Sequence, residues 1–269
     1  MIRPVLLATS VALGGILVNE RRQRHRAERF SAAALESLLR AIDANDPQTG
    51  AHVRRVAAYS LPIAYALGVD ERVRRTIELT ALFHDVGKIH EALFDVVHEP
   101  RKLTPAERRA IRTHPIRGAE VLGPIGHFHP QLAEAVLSHH ERWDGRGYPR
   151  GLRGDRIPLA ARVVALADTF DVVTHGRRYR DSRTPDEAQR IILEGRGTQF
   201  DPELVDLVLL PPVFNQIMRA ERRFERRLHT IPKRRLSSHD HDSAPKVGIR
   251  WRTRSDAPHV RSMVSSRAD

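Results

Sequence analysis

The chain has 15 histidines and no cysteine, so any metal it binds is held by imidazole and carboxylate groups. The histidines are not equally informative. His84-Asp85 follows an apolar stretch and runs into Val86-Gly87-Lys88, and His139-His140 ends another apolar stretch and runs into Glu141-Arg142-Trp143. Asp168 follows the run RVVALA at 162–167, so apolar that the carboxylate is expected to be buried, which is costly unless it is paired or binds a metal. His52 lies on an amphipathic stretch and His114 precedes Pro115. Each has an ordinary explanation alone: a lone buried histidine is more often a hydrogen-bonded core residue than a ligand, and a buried aspartate can cap a turn. Together they suit a hard-to-borderline divalent metal with nitrogen and oxygen ligands. Adjacent positions on a helix point about 100° apart, which suits two neighbouring metals bridged by one carboxylate. Two ions about 3.5–4 Å apart is the arrangement used for in-line attack on phosphoryl groups.

The elements that must position these residues read as helices. Leu35, Leu38, Leu39 and Ile42 recur on one face. Val53, Val56, Ile63 and Leu67 continue the pattern after the Asp46-Pro47 break, and Gly68 closes that helix. Residues 74–84 follow. Thr104-Pro105-Ala106-Glu107 has the form of a helix start. Residues 132–140, 160–174 and 185–193 are further helical stretches, and Asp201-Pro202 opens a last one. No segment sustains strand alternation and there is no internal repeat, so the expectation is an all-α bundle.

Several stretches resemble the HD-GYP family of the HD phosphohydrolase superfamily. They are DPQTGAH at 46–52, LFHDVGKI at 82–89, KLTP at 102–105, THP at 113–115, HHERWDGRGYP at 139–149, IPL at 157–159, ADTFD at 167–171 and GTQFDP at 197–202. The resemblance implies an HD-domain helical bundle with a C-terminal helical extension. It implies metal ligands His52, His84, Asp85, His114, His139, His140 and Asp168, with Asp85 bridging two divalent ions, Fe or Mn. One ion would take His52, His84, Asp85 and Asp168, the other Asp85, His114, His139 and His140. A bridging water would be the nucleophile, with Lys88 placing positive charge near the reacting phosphate. Cyclic di-GMP, opened to pGpG or GMP, would be the substrate. Arg177 and Arg180 match positions that grip its phosphates, with surface charge an equal alternative. Tyr148 would pack in the loop after the histidine pair or stack on a base.

The chain departs from the family pattern in places. Gln48 stands where some members carry Glu and bind a third metal; a neutral amide predicts two. His90 replaces a common Gly, residues 91–101 diverge, and His175, Gly176 and Arg178 are atypical around Arg177. His90, His98, His127, His129 and His175 are assigned no metal role. These departures keep two other readings open: an HD hydrolase of another nucleotide or phosphate ester, and a non-catalytic module binding a partner protein.

The formal net charge of +12 over 269 residues lies at the ends. Residues 1–30 hold 6 Arg and 2 Glu, and residues 221–269 hold 13 Lys and Arg against 6 Asp and Glu. The core, 31–220, has 26 basic and 25 acidic residues, so the basic balance says nothing about its chemistry. No motif supports specific nucleic-acid recognition. The uncharged stretch 4–18 precedes Arg21, Arg22, Arg24 and Arg26. It reads as a short membrane anchor with a cytoplasmic catalytic domain, as a secretory signal with its charges on the wrong side, or as a plain N-terminal helix. The tail, 221–269, is expected to begin as a charged helix and then be disordered. With 30 residues before the core, the enzyme is expected to stand alone or be regulated through its ends or by homodimerisation.

Overall fold

The computed structural model describes residues 2–89, 104–175 and 182–230. The chain divides into two units, 1–230 and 231–269, and every described residue lies in the first. Among the described residues the fold is all-α, and extended backbone pairs at one isolated bridge, Arg196 with Phe200. In order the helices are α1 (Ile2–Asn45), α2 (Pro47–Ala66), α3 (Glu71–Phe83), a 3-10 turn (Val86–Ile89), α4 (Pro105–Ile111), α5 (His114–Leu122), α6 (Leu132–Ser138), α7 (Leu159–His175), α8 (Pro185–Glu194), α9 (Pro202–Leu209) and α10 (Pro211–Thr230). Arg177, Arg180, His90, His98, the divergent stretch 91–101 and the tail beyond 230 lie outside the described residues.

Local chemistry sets the helix boundaries. The Asp46 side chain accepts from Gln48 N, and Pro47 stands first in α2. Gly68 stops α2 at φ +65°. Thr104 and Thr184 each form a reciprocal cap with the Glu three residues on. The end of the chain differs from expectation: the apolar stretch from Leu204 is two helices. Leu210 turns extended at ψ 128° because Pro211 and Pro212 follow, and α10 restarts there. At the other end, the apolar stretch 4–18 and the amphipathic stretch after Ser31 form one 44-residue helix. Among the described residues no helix is long and apolar enough to cross a membrane.

Helix α2 lies at the centre, packed on α1, α3, α7 and α10. Val53, Val56 and Ile63 of α2, Ile77 and Leu79 of α3 and Val163, Val164 and Leu166 of α7 are fully buried between them. Tyr59, Phe170 and Phe214 meet edge to face, with ring centres 5.2 and 5.8 Å apart. Each such buried side chain contributes about 1.5–3 kcal/mol, so the fold rests on this core. Ala160, Ala161 and Ala167 of α7 are buried as well.

The 3-10 turn lies directly on the backbone of α5. A Cβ at Gly87 would fall 2.1 Å from His114 O and 2.6 Å from Gly118 N, backbone atoms with no room to yield. Gly87→Ala is therefore expected to push the turn off α5 and to destabilise the fold by about 1–3 kcal/mol. Urea unfolding measures this; an unchanged midpoint would contradict the close approach.

Candidate metal centre

Side chains from five segments of the bundle converge on one region. His52 comes from α2, His84 and Asp85 directly follow α3, and His114 opens α5. His139 and His140 directly follow α6, and Asp168 comes from α7. Asp85 is central. Its Oδ2 lies 3.7 Å from His52 Nε2 and 3.5 Å from His84 Nε2, while its Oδ1 lies 3.3 Å from His114 Nε2. Asp168 Oδ1 lies 3.2 Å from His52 Nε2 and 4.0 Å from His84 Nε2. On the other side, His114 Nε2 and His139 Nε2 are 3.1 Å apart, and the His139 and His140 ring centres 4.1 Å. Two groups result, His52–His84–Asp85 and His114–His139–His140, each with donor atoms within 4.8 Å of one another. One carboxylate oxygen faces each group.

The imidazoles are oriented by a repeated device. His84 Nδ1 donates to Ala81 O at 2.9 Å, His114 Nδ1 to Ile111 O at 2.7 Å and His139 Nδ1 to Val136 O at 2.6 Å. In each case the acceptor is the carbonyl three residues back, which accepts only, so Nδ1 carries the proton and Nε2 presents a lone pair. His52 Nδ1 meets the carboxylate of Asp171 at 2.6 Å instead.

This geometry tests whether a metal fits. Burial pushes His114 down to about 3 and His139 well below the ordinary imidazole value, so neither carries a second proton at neutral pH. Their Nε2 lone pairs then face each other at 3.1 Å with no proton between them. His84 Nε2 is sealed from solvent with no hydrogen-bond partner. Buried acceptors arranged this way are costly until a cation sits among them. The donor set, imidazole nitrogen with carboxylate oxygen, suits a divalent transition metal.

His52 differs from the other imidazoles. Burial lowers it, but the nearby carboxylates of Asp168 and Asp171 outweigh that and raise it to about 9. His140, by contrast, is lowered to about 4, first by burial. The metal-free cluster therefore holds an imidazolium at His52, and a metal taking that nitrogen must expel the proton. Metal affinity is expected to climb with pH and level off above about 9, with about one proton released on uptake at pH 7. Titrating Mn²⁺ into weakly buffered protein while following pH counts it; no release would contradict the assignment.

Lys88 Nζ lies 2.7 Å from Asp85 Oδ2, on the 3-10 turn. Burial raises the Asp85 carboxyl, but Lys88 and then His84, His114 and His52 hold it well below the usual carboxylate range. Tyr148 stacks on His140, with ring centres 4.8 Å apart and planes 25° apart. Gln48 is exposed at the start of α2. Asp168 departs from expectation. Its apolar neighbours are buried, but it faces a cavity together with Ala165 and Thr169, and its side chain is 15% exposed.

The sealed carboxylate of α7 is Asp171, 1% exposed, which the sequence reading did not assign. Arg55 grips it with Nε at 2.5 Å and Nη2 at 2.8 Å. A signal existed: Arg55 is three residues after His52 and Asp171 three after Asp168, the same spacing on two facing helices.

The loop after the histidine pair is tied down from within. Buried Glu141 accepts from Arg150 N at 2.8 Å and Leu152 N at 3.0 Å. Gly147 is required there, since a Cβ would fall 2.4 Å from Arg142 N. Trp143 N and Asp144 N donate to Gln199 O and Thr198 O, which docks this loop on the segment GTQFDP. Asp201 then caps α9 and accepts from Arg162 of α7 at 2.6 Å.

The family model described as HD domain matches residues 36–204. The chain is 41% identical over 194 residues, 71% of its length, to the cyclic di-GMP phosphodiesterase response regulator RpfG of Xanthomonas campestris, covering 49% of that protein. It is 38% identical over 175 residues, 64% of its length, to 3'3'-cGAMP-specific phosphodiesterase 2 of Vibrio cholerae, covering 33% of it. The chain thus spans half or less of the length of these curated relatives. Its fold resembles the crystal structure of a cyclic GMP-AMP specific phosphodiesterase of Vibrio cholerae, with a TM-score of 0.52, 22% identity and coverage of 70% of this chain and 52% of that one. The chain belongs to the HD domain family, and the run from His139 to Pro149 places it in the HD-GYP group.

Proposed function

We propose that this protein is a metal-dependent phosphodiesterase that opens cyclic di-GMP to pGpG or GMP. One observation carries the reading: residues scattered over 117 positions of sequence gather into two groups, His52–His84–Asp85 and His114–His139–His140, with Asp85 between His84 and His114 and Asp168 beside His52. We assign His52, His84, Asp85 and Asp168 to one divalent ion and Asp85, His114, His139 and His140 to a second, with Fe or Mn suited to these donors. When bound, such ions lower the pKa of water and neutralise charge on phosphoryl oxygens. Asp85 sets the spacing between the two sites. Lys88 holds an ammonium beside Asp85, from which it faces developing charge on the phosphate and supplies a proton to the ribose 3′ oxygen as its bond to phosphorus breaks. Arg177 and Arg180 are proposed phosphate contacts.

Relatives named for cyclic di-GMP and for 3'3'-cGAMP have similar identity, 41% and 38%, which makes the second cyclic dinucleotide the competing substrate. The test is the full chain, prepared without oxygen and loaded with Fe²⁺ or Mn²⁺, offered both compounds with product identification. Release of pGpG or GMP is the expected result; metal-replete protein that turns over no phosphodiester would end the proposal. The basic stretch 20–30 also suits an anionic membrane surface, and fractionation with and without residues 1–30 tests that.

A further inference from the structure

A cavity of about 500 Å³ opens beside His139, His140 and Asp168. Four arginines line it, Arg108, Arg112, Arg142 and Arg146. The Arg142 guanidinium is occupied, donating to Asp144 at 3.1 and 2.8 Å. Arg108 and Arg112 form no ion pair among the described residues, whereas other arginines, such as Arg40, Arg74 and Arg196, pair with Glu36, Glu71 and Asp206; Arg146 has Asp144 nearby, which its backbone N–H reaches at 3.0 Å. Unpaired like charges round one cavity repel one another, and an anion placed among them relieves that repulsion.

Their placement is specific. Arg108 lies on α4 and Arg112 four residues on at its C-terminal cap, so both are on one face; Arg109 lies off that face and outside the cavity. An ordinary role for Arg112, a cation near helix-end carbonyls, does not account for its position. Its guanidinium lies 4.3 Å from the Tyr148 ring centre, and Tyr148 in turn stacks on His140. The Arg112 guanidinium thus lies over the Tyr148 ring at the cavity wall. The in-plane N–H fork stays open, the geometry that suits a phosphate.

A cyclic dinucleotide has two phosphodiesters, and the metal centre engages one at a time. We propose that Arg108 and Arg112, with Arg146, form a second anion subsite that holds the phosphodiester not being cleaved. This rests on the cyclic dinucleotide reading above, and assigns the selection of a two-phosphate substrate to residues outside the metal cluster.

The test uses the full chain and two readouts. One is equilibrium binding of cyclic di-GMP to metal-free protein, where no turnover intervenes. The other is hydrolysis of bis(p-nitrophenyl) phosphate by Mn²⁺-loaded protein, since that compound has a single phosphodiester. The double variant Arg108→Ala with Arg112→Ala is expected to weaken binding roughly tenfold to a hundredfold. Arg109→Ala, the same charge on the same helix, is expected to change it less than about threefold. Hydrolysis of the small diester should stay within about twofold of the parent in all three proteins. Unchanged binding in the double variant overturns the subsite, as does an equal loss in Arg109→Ala, which would mean diffuse charge. An equal fall in small-diester hydrolysis also overturns it, because Arg112 would then only support His140. A Mn²⁺-loaded parent chain that cleaves the small diester but turns over no cyclic di-GMP overturns the substrate reading and the subsite with it. Normal cyclic di-GMP turnover beside an unaffected double variant removes the subsite alone.

Discussion

Asp85→Ala is expected to lose bound metal and to lower phosphodiester hydrolysis by roughly 10³-fold or more, because the ions supply several kcal/mol of charge stabilisation and each ~1.4 kcal/mol is tenfold in rate. The size of the effect follows from position. Asp85 is the carboxylate whose two oxygens face the two histidine groups separately, at 3.5 Å from His84 and 3.3 Å from His114. Any other ligand serves one group; this one couples both. The helices should survive, since the buried apolar side chains of α2, α3 and α7 are unchanged, although Lys88, 14% exposed, loses its carboxylate and stability falls with it. Asp85→Asn separates charge from shape: it keeps the volume and one acceptor oxygen but removes the charge that offsets Lys88. Metal content by mass spectrometry, activity, and helicity by circular dichroism check the three parts together. Retained metal with retained activity in either variant would remove Asp85 from the centre.

The second large effect is expected at Asp171, which touches no substrate. It is buried between His52 and Arg55, so Asp171→Ala leaves a guanidinium without its carboxylate in a partly buried position, at a cost of about 3–5 kcal/mol in a closed interior and less here, where Arg55 is 14% exposed. It also frees the His52 ring, and loss of such an orienting partner lowers metal affinity about 10- to 100-fold. Denaturant unfolding of metal-free protein measures the first effect and metal titration the second. If Asp171 only packed, unfolding would shift while metal affinity stayed. The pH dependence provides a separate signature. Burial raises the Asp171 carboxyl, but the Arg55 and His52 hydrogen bonds outweigh it and hold it below its ordinary value. A carboxylate depressed in the folded state contributes stability above its unfolded pKa, and that stability is lost as pH falls through the folded one. The parent protein should therefore lose stability on the acid side faster than Asp171→Ala, with the two curves converging at low pH. Parallel curves would contradict the pairing.

Part of the candidate centre was legible because several of its proposed ligands sit where local rules act. His84-Asp85 and His139-His140 follow helices, and Gly68, Pro47, Thr104 and Thr184 mark ends by backbone chemistry that needs no tertiary contact. The all-α fold follows from apolar spacing alone, and the run at 139–149 is specific enough to bring the HD-GYP resemblance with it. Periodicity did not resolve the break at Leu210, where a Pro pair split one apolar stretch into two helices.

What the sequence by itself determined, then, is the all-α class, most of the helices, the ends that Gly, Pro and Thr caps mark, and the kinds of donor atom available; the helix His114–Leu122 and the restart at Pro211 came only from the structure. Only the tertiary structure decided which donors share a centre, that Asp168 faces the cavity while Asp171 is sealed, and that Arg108 and Arg112 look into the same space as His140. The physical reason is that burial and charge pairing depend on what a facing helix presents. Asp168 and Asp171 are three residues apart on one helix, and their difference arises because α2 closes Arg55 over Asp171, while Asp168 meets His52 on one side and the cavity on the other.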